Sequence, residues 1–224
     1  MISTLKMSNN LKLLKWIRWI DILYNEVISL FTNKTVFNRV QEIIRNNPKI
    51  QKPSAFYEYY GINYGISALM TIRRLLEPNR YGISFYELLS DIYDNNEIIT
   101  RDYYKSLYGS NISEYIIDKD FDQFSGKSGK QKNFLNKKIV EADLKAINKT
   151  IGNIKYFIDK KVAHLDKTIP KKLLTFKEVE DCIEFIGNLL KKYLSILKAV
   201  NLSSPKPTFQ YDWDIIFTEK WIPE

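Results

Sequence analysis

Residues 132–167 read KNFLNKKIVEADLKAINKTIGNIKYFIDKKVAHLDK. Phe134, Leu135, Ile139, Ile147, Ile151, Ile154 and Phe157 return to one face of a 3.6-residue helix, with lysines and carboxylates filling the gaps. Gly152 marks a point where such a helix can bend. A strand would need period-two alternation between turn residues, and this stretch has none.

The same period recurs on both sides. Leu11, Leu14, Ile17, Trp19, Ile22, Leu23, Val27, Leu30 and Phe31 predict a long helix, and Val36 to Asn46 a second one closed by Pro48. Ser54 is placed to cap a helix through Phe56, Tyr60, Tyr64, Leu69, Ile72 and Leu76, which Pro78 ends. Ser84 and Glu87 form a capping-box pattern opening a short helix to about Asp94, and another short helix covers Thr100 to Tyr108. Residues 109–130 break the pattern and read as a polar loop insertion. Thr175 and Glu178 form a second capping box, starting a helix that runs to about Val200.

The expected fold is therefore all-α: long antiparallel helices with extra short ones, in a single domain over residues 1–200. The tail, 201–224, carries Pro205, Pro207, Trp213, Trp221 and Pro223, and its aromatics predict docking on the bundle.

Composition narrows the function classes. With 224 residues, 45% of them hydrophobic, the chain can bury a substantial core. Its formal charge of +8 admits a polyanionic partner, although the excess is mostly lysine and accompanies abundant Asn and Ile, as an AT-rich genome also produces. Lys12, Lys15, Arg18 and Asp21 interrupt the apolar N-terminal stretch, so neither a membrane span nor a signal peptide is expected, and a cytoplasmic location is. The single cysteine, Cys182, reads as a small buried residue. Gly126-Lys127-Ser128 has the ending of a phosphate loop, but Phe121 stands where that loop needs glycine and no strand precedes it. No metal site and no cofactor is expected.

One histidine remains, His164, within Asp159-Lys160-Lys161-Val162-Ala163-His164-Leu165-Asp166. Any imidazole proton transfer near neutral pH must use it. Together with Arg74-Leu75-Leu76-Glu77 closing an earlier helix and an amphipathic helix following, this order resembles a HEPN domain, most closely its abortive-infection AbiU-like branch, over residues 54–200. The resemblance implies a helical bundle that dimerises and sets the histidines of two subunits beside one cleft. It also implies a metal-independent endoribonuclease, a toxin of anti-phage or toxin–antitoxin systems, with RNA and an antitoxin or other defence protein as partners.

On that reading His164 is the acid/base at the ribose 2′-hydroxyl and the leaving oxygen, Asp159 orients the site, and Arg74 supplies positive charge. Lys160, Lys161 and Arg73 are the further phosphate-binding candidates. Lys160 and Lys161 lie four and three residues before His164, on its helical face. The same residues also have ordinary roles, as a solvated lysine face and as arginines favoured at a helix C-terminus.

One departure is specific. Active members carry an arginine with four to six residues between it and the histidine, and here those positions are Phe157, Ile158 and Asp159, with Ile158 in the arginine's own place. This leaves open a second function, a catalytically degenerate module that binds RNA or a partner protein. A third is a helical interaction protein using the aromatics Phe56, Tyr57, Tyr59 and Tyr60. The branch that pairs with a nucleotidyltransferase antitoxin carries a tyrosine two residues after the histidine; position 166 is Asp, which does not support that pairing.

Overall fold

The computed structural model of the chain describes residues 2–126, 129–159 and 174–219. Seven α-helices lie among them: α1 (Ile2–Asn46), α2 (Ala55–Leu76), α3 (Phe85–Asp94), α4 (Arg101–Ser106), α5 (Glu114–Phe121), α6 (Lys137–Phe157) and α7 (Phe176–Lys198). No strand occurs among the described residues, and the fold is all-α as expected. No helix in that set is long and apolar enough to cross a membrane.

The two helices expected at the N-terminus are one helix of 45 residues. Between Phe31 and Val36 the sequence has no glycine or proline. The hydroxyls of Thr32 and Thr35 bond back to the carbonyls of Ile28 and Phe31, so these residues continue the helix and do not compete with it.

Caps fix the other starts. Ser54 Oγ accepts from the Phe56 amide, and Thr175 with Glu178 closes a full capping box. Ser84 accepts from the Glu87 amide, but the Glu87 carboxylate turns to the Asn79 amide, so only half of that box forms. Glu77, extended at φ −73 and ψ 140 ahead of Pro78, ends α2.

Two boundaries differ from the sequence reading. The stretch expected as a polar loop contains α5, because Ile117 and Phe121, four residues apart, bury one helical face against α4. α6 begins at Lys137, capped by Asn136, after a short 3-10 turn over Gly129–Asn133; it then runs unbroken through Gly152.

The core lies where α1, α2, α6 and α7 meet, with α3 and α4 closing its ends. Trp16, Ile20, Leu23, Val27 and Leu30 of α1 and Ile183, Ile186, Leu190 and Leu197 of α7 are buried. These helices approach so closely that a Cβ on Gly187 would lie 2.7 Å from Phe31 Cζ and 3.2 Å from Pro205 Cγ. Polar ties lock the layers. Trp16 Nε1 donates to Asp91 Oδ2 at 2.9 Å between α1 and α3, and Tyr193 and Lys192 of α7 both donate to Asp143 of α6. In the tail, Pro205 is buried and Asp214 pairs with Arg39 of α1 at 3.0 Å.

Cys182 is buried on α7, and burial pushes its thiol up to about 11, so it stays protonated at neutral pH.

Candidate functional site at the α2–α6 junction

The candidate residues sit where the last turn of α2 meets the last turn of α6. α2 delivers Arg73, Arg74 and Glu77 in succession, and α6 delivers Lys155 and, one residue past Ile158, Asp159. Basic residues in the last turn of each helix complement the negative end of its dipole.

Arg73 is the centre of the junction. Its Nε lies 2.5 Å from Glu77 Oε2 and its Nη1 lies 3.0 Å from Asp159 Oδ1. Glu77 is bound from its other oxygen by Lys155 Nζ at 2.7 Å. Burial opposes the charge on Glu77, but hydrogen bonds from Arg73 and Lys155 outweigh it and hold the carboxyl below its ordinary range. The hydrogen bond to Glu77, reinforced by the charges of Glu77 and Asp159, raises the Arg73 guanidinium above its already high value.

The structure thus separates the two arginines, to which the sequence reading gave different roles. Arg73 reaches Asp159, whereas Arg74 is largely exposed and pairs with Glu26 of α1. A shallow hollow of about 230 Å³ lies between them, lined by Met70, Arg73, Arg74, Glu77 and Asn79. His164, Lys160 and Lys161 lie outside the described residues.

Two features of the junction bear on its chemistry. Its described charges cancel: Arg73, Arg74 and Lys155 face Glu77, Asp159 and Glu26. Each of these cations is engaged by a carboxylate, which leaves the described part of the junction no net positive charge to place on a phosphate. Ile158 is fully buried and belongs to the apolar core. A guanidinium at that position would have to leave water entirely.

Sequence reasoning missed Lys155, whose role shows only once α6 is laid against α2. The signal was its position four residues before Asp159, on the same helical face.

No protein-family model, no characterised protein and no solved structure matches this chain.

Proposed function

We infer that this protein is a HEPN-like module of a prokaryotic defence or toxin–antitoxin system, a cytoplasmic homodimer that binds RNA or a partner protein without cutting RNA. The observation that carries this reading is the full burial of Ile158. In the HEPN-like pattern this is the arginine's position, and here it is built into the core, where an ionised side chain costs several kcal/mol unless paired. The balanced charges around Arg73 support the same reading, because the described cations already have carboxylate partners. Purified protein incubated with RNA in EDTA should leave it intact, while filter binding to single-stranded RNA should weaken steeply as salt rises. Cleavage by the wild type that disappears in His164→Ala would overturn this conclusion.

A second reading, the metal-independent endoribonuclease, is favoured by the Arg73–Asp159 contact, which joins the two segments that carry the HEPN-like pattern. In it His164 transfers the proton, Asp159 and Arg73 orient the segment before it, and Lys160 or Arg74 stands in for the missing guanidinium. Lysine is the weaker substitute, since it lacks the paired donors of arginine. The nuclease reading requires the EDTA-resistant cleavage just described, and equal cleavage by wild type and His164→Ala would remove it.

A further inference from the structure

The α4–α5 end of the bundle carries a second group of convergent polar side chains, on elements that take no part in the junction. Tyr104 of α4 is fully buried, its ring packed against Tyr108, Phe121 and Phe124. Its hydroxyl donates to Asp120 Oδ2 of α5. The Tyr108 hydroxyl lies 3.1 Å from the same oxygen and 2.9 Å from the Tyr104 oxygen, and Gln123 Nε2 donates to Asp120 Oδ1 at 3.2 Å. Burial pushes both phenols above their ordinary range, so both keep their protons at neutral pH. Tyr108, Asp120 and Gln123 line an open hollow of about 550 Å³ together with Ile116, Ile117 and Lys119.

The protons decide what this hollow can take. Each phenol has one. That of Tyr104 goes to Asp120, and that of Tyr108 goes to Asp120 or to the Tyr104 oxygen. Neither is left for a ligand, so the Tyr108 oxygen and the Asp120 carboxylate offer lone pairs only. Asp120 is held by neutral donors, with no lysine or arginine among its described partners. A cation donating to a carboxylate makes a bond roughly twice as strong as a neutral donor does. A guanidinium or ammonium therefore gains most here, and its alkyl stem can lie along the Tyr108 ring and Ile116.

The surrounding charge points the same way. Residues 94–123 hold seven acidic residues against three basic ones, a net −4 within a chain of +8. All three cations are engaged. Arg101 pairs with Asp118 and Asp122, Lys105 pairs with Glu114 and Asp118, and Lys119 Nζ stands 5.0 Å from the centre of the Tyr115 ring. This end of the molecule repels a phosphate backbone and attracts a cation. Beside the hollow Ile112, Tyr115 and Ile116 are exposed, Ile116 by 59%. Acidic and apolar groups side by side complement a chain segment that carries both basic and apolar residues.

We propose that this hollow docks a basic, partly apolar segment of a partner protein, whose arginine or lysine seats on Asp120 with its stem along Tyr108 and Ile116. The proposal rests on the partner-protein side of the binding-module reading, and the two fail separately: RNA cleavage by the wild type would overturn that reading and leave this site standing.

Fluorescence anisotropy on the full chain, with a labelled peptide of repeated Arg-Ala-Leu units, tests the site. The wild type should bind this peptide and should not bind one of repeated Glu-Ala-Leu units. Asp120→Asn should weaken binding by at least about tenfold, the weight of one charged hydrogen bond. Ile116→Lys should weaken it as much with an unchanged thermal midpoint, because this position faces water and the added charge repels the peptide. Glu58→Gln, which removes an exposed carboxylate on α2, should leave binding as it is. Spermidine at equal charge should compete poorly, since it has no side chains for the apolar rim. No binding by the wild type, or an affinity unchanged by Asp120→Asn and Ile116→Lys, would overturn the proposal. So would an equal loss in Glu58→Gln, or spermidine displacing the label as well as unlabelled peptide does. A loss of single-stranded RNA binding in Asp120→Asn would give the hollow to RNA and overturn it too.

Discussion

Arg73 Nη1 and Asp159 Oδ1 stand 3.0 Å apart, and this contact joins the end of α2 to the end of α6 across 86 positions of sequence. The two side chains are 26% and 34% exposed, so the pair sits at the edge of the bundle and not within it. Its effect is to orient the chain just before Lys160, Lys161 and His164. Partly exposed ion pairs stabilise weakly, by about 0–1 kcal/mol each.

A double-mutant cycle with Arg73→Gln and Asp159→Asn should therefore give a coupling below about 1 kcal/mol in urea unfolding. Arg73→Gln alone should cost more than Asp159→Asn, because it also strips Glu77 of one of its two cations. The same cycle on Arg74 and Asp159 should show no coupling, since Arg74 is held by Glu26.

Acid should weaken the junction. The Glu77 carboxyl is lowered in the folded chain, so its contribution is fully present above the unfolded value of 4.5 and is lost as pH falls through the lower folded value. Stability of the wild type should decline with acidification below that point. In Glu77→Gln the decline should be shallower, by the share of one carboxylate. Chemical unfolding at a series of pH values reads this slope directly, and an unchanged slope in the variant would refute the assignment.

Restoring an arginine at position 158 should not restore a nuclease. Ile158 is completely buried, and Ile158→Arg buries a guanidinium without a designed partner at a cost of several kcal/mol. Thermal unfolding should shift down sharply, whereas Ile158→Val should lose only about 0.5–1.5 kcal/mol. A stable Ile158→Arg protein that cleaves RNA would contradict both the burial and the proposed function.

At the α1–α7 crossing, Gly187→Ala should destabilise the fold by about 1–3 kcal/mol. The added methyl would meet Phe31, which is 2% exposed and hemmed in by the core, and the buried Pro205. Denaturant melting of this single variant tests whether those helices are as close as described.

Much of this architecture is legible in the sequence because its signals are local. Ser54, Pro78, Ser84 and Thr175 mark helix ends through bonds and steric limits within a few residues, and each acts where expected. The continuity of α1 is not local in that sense. Thr32, Asn33 and Thr35 weaken the apolar period, and only the bonds of Thr32 and Thr35 to carbonyls four residues back reveal that they extend the helix. α5 was hidden because its apolar face is only two buried residues wide.

At the junction, sequence brings out Arg73, Arg74, Glu77 and Asp159 and prefers Arg74, whereas it is Arg73 that reaches Asp159. One residue along a helix turns a side chain by about 100°, which is the difference between facing α6 and facing α1. The aromatics Phe56 and Tyr59 were legible as part of one helix, but their exposure, 51% and 66%, was not, since aromatics at helical spacing ordinarily read as core.

The 45-residue reach of α1 also governs how this chain can come into being. Asp21 finds Lys198 177 positions further along the chain, and Arg39 finds Asp214 175 further along. α2 and α3 cover part of α1 early, through Glu26–Arg74 and Trp16–Asp91, but the face of α1 that packs on α7 waits for residues 176–198. Closing such distant contacts is slow, and that face of α1 stays uncovered meanwhile. The part of α1 that packs on α7 is therefore the surface most open to aggregation until residues 176–198 have been made.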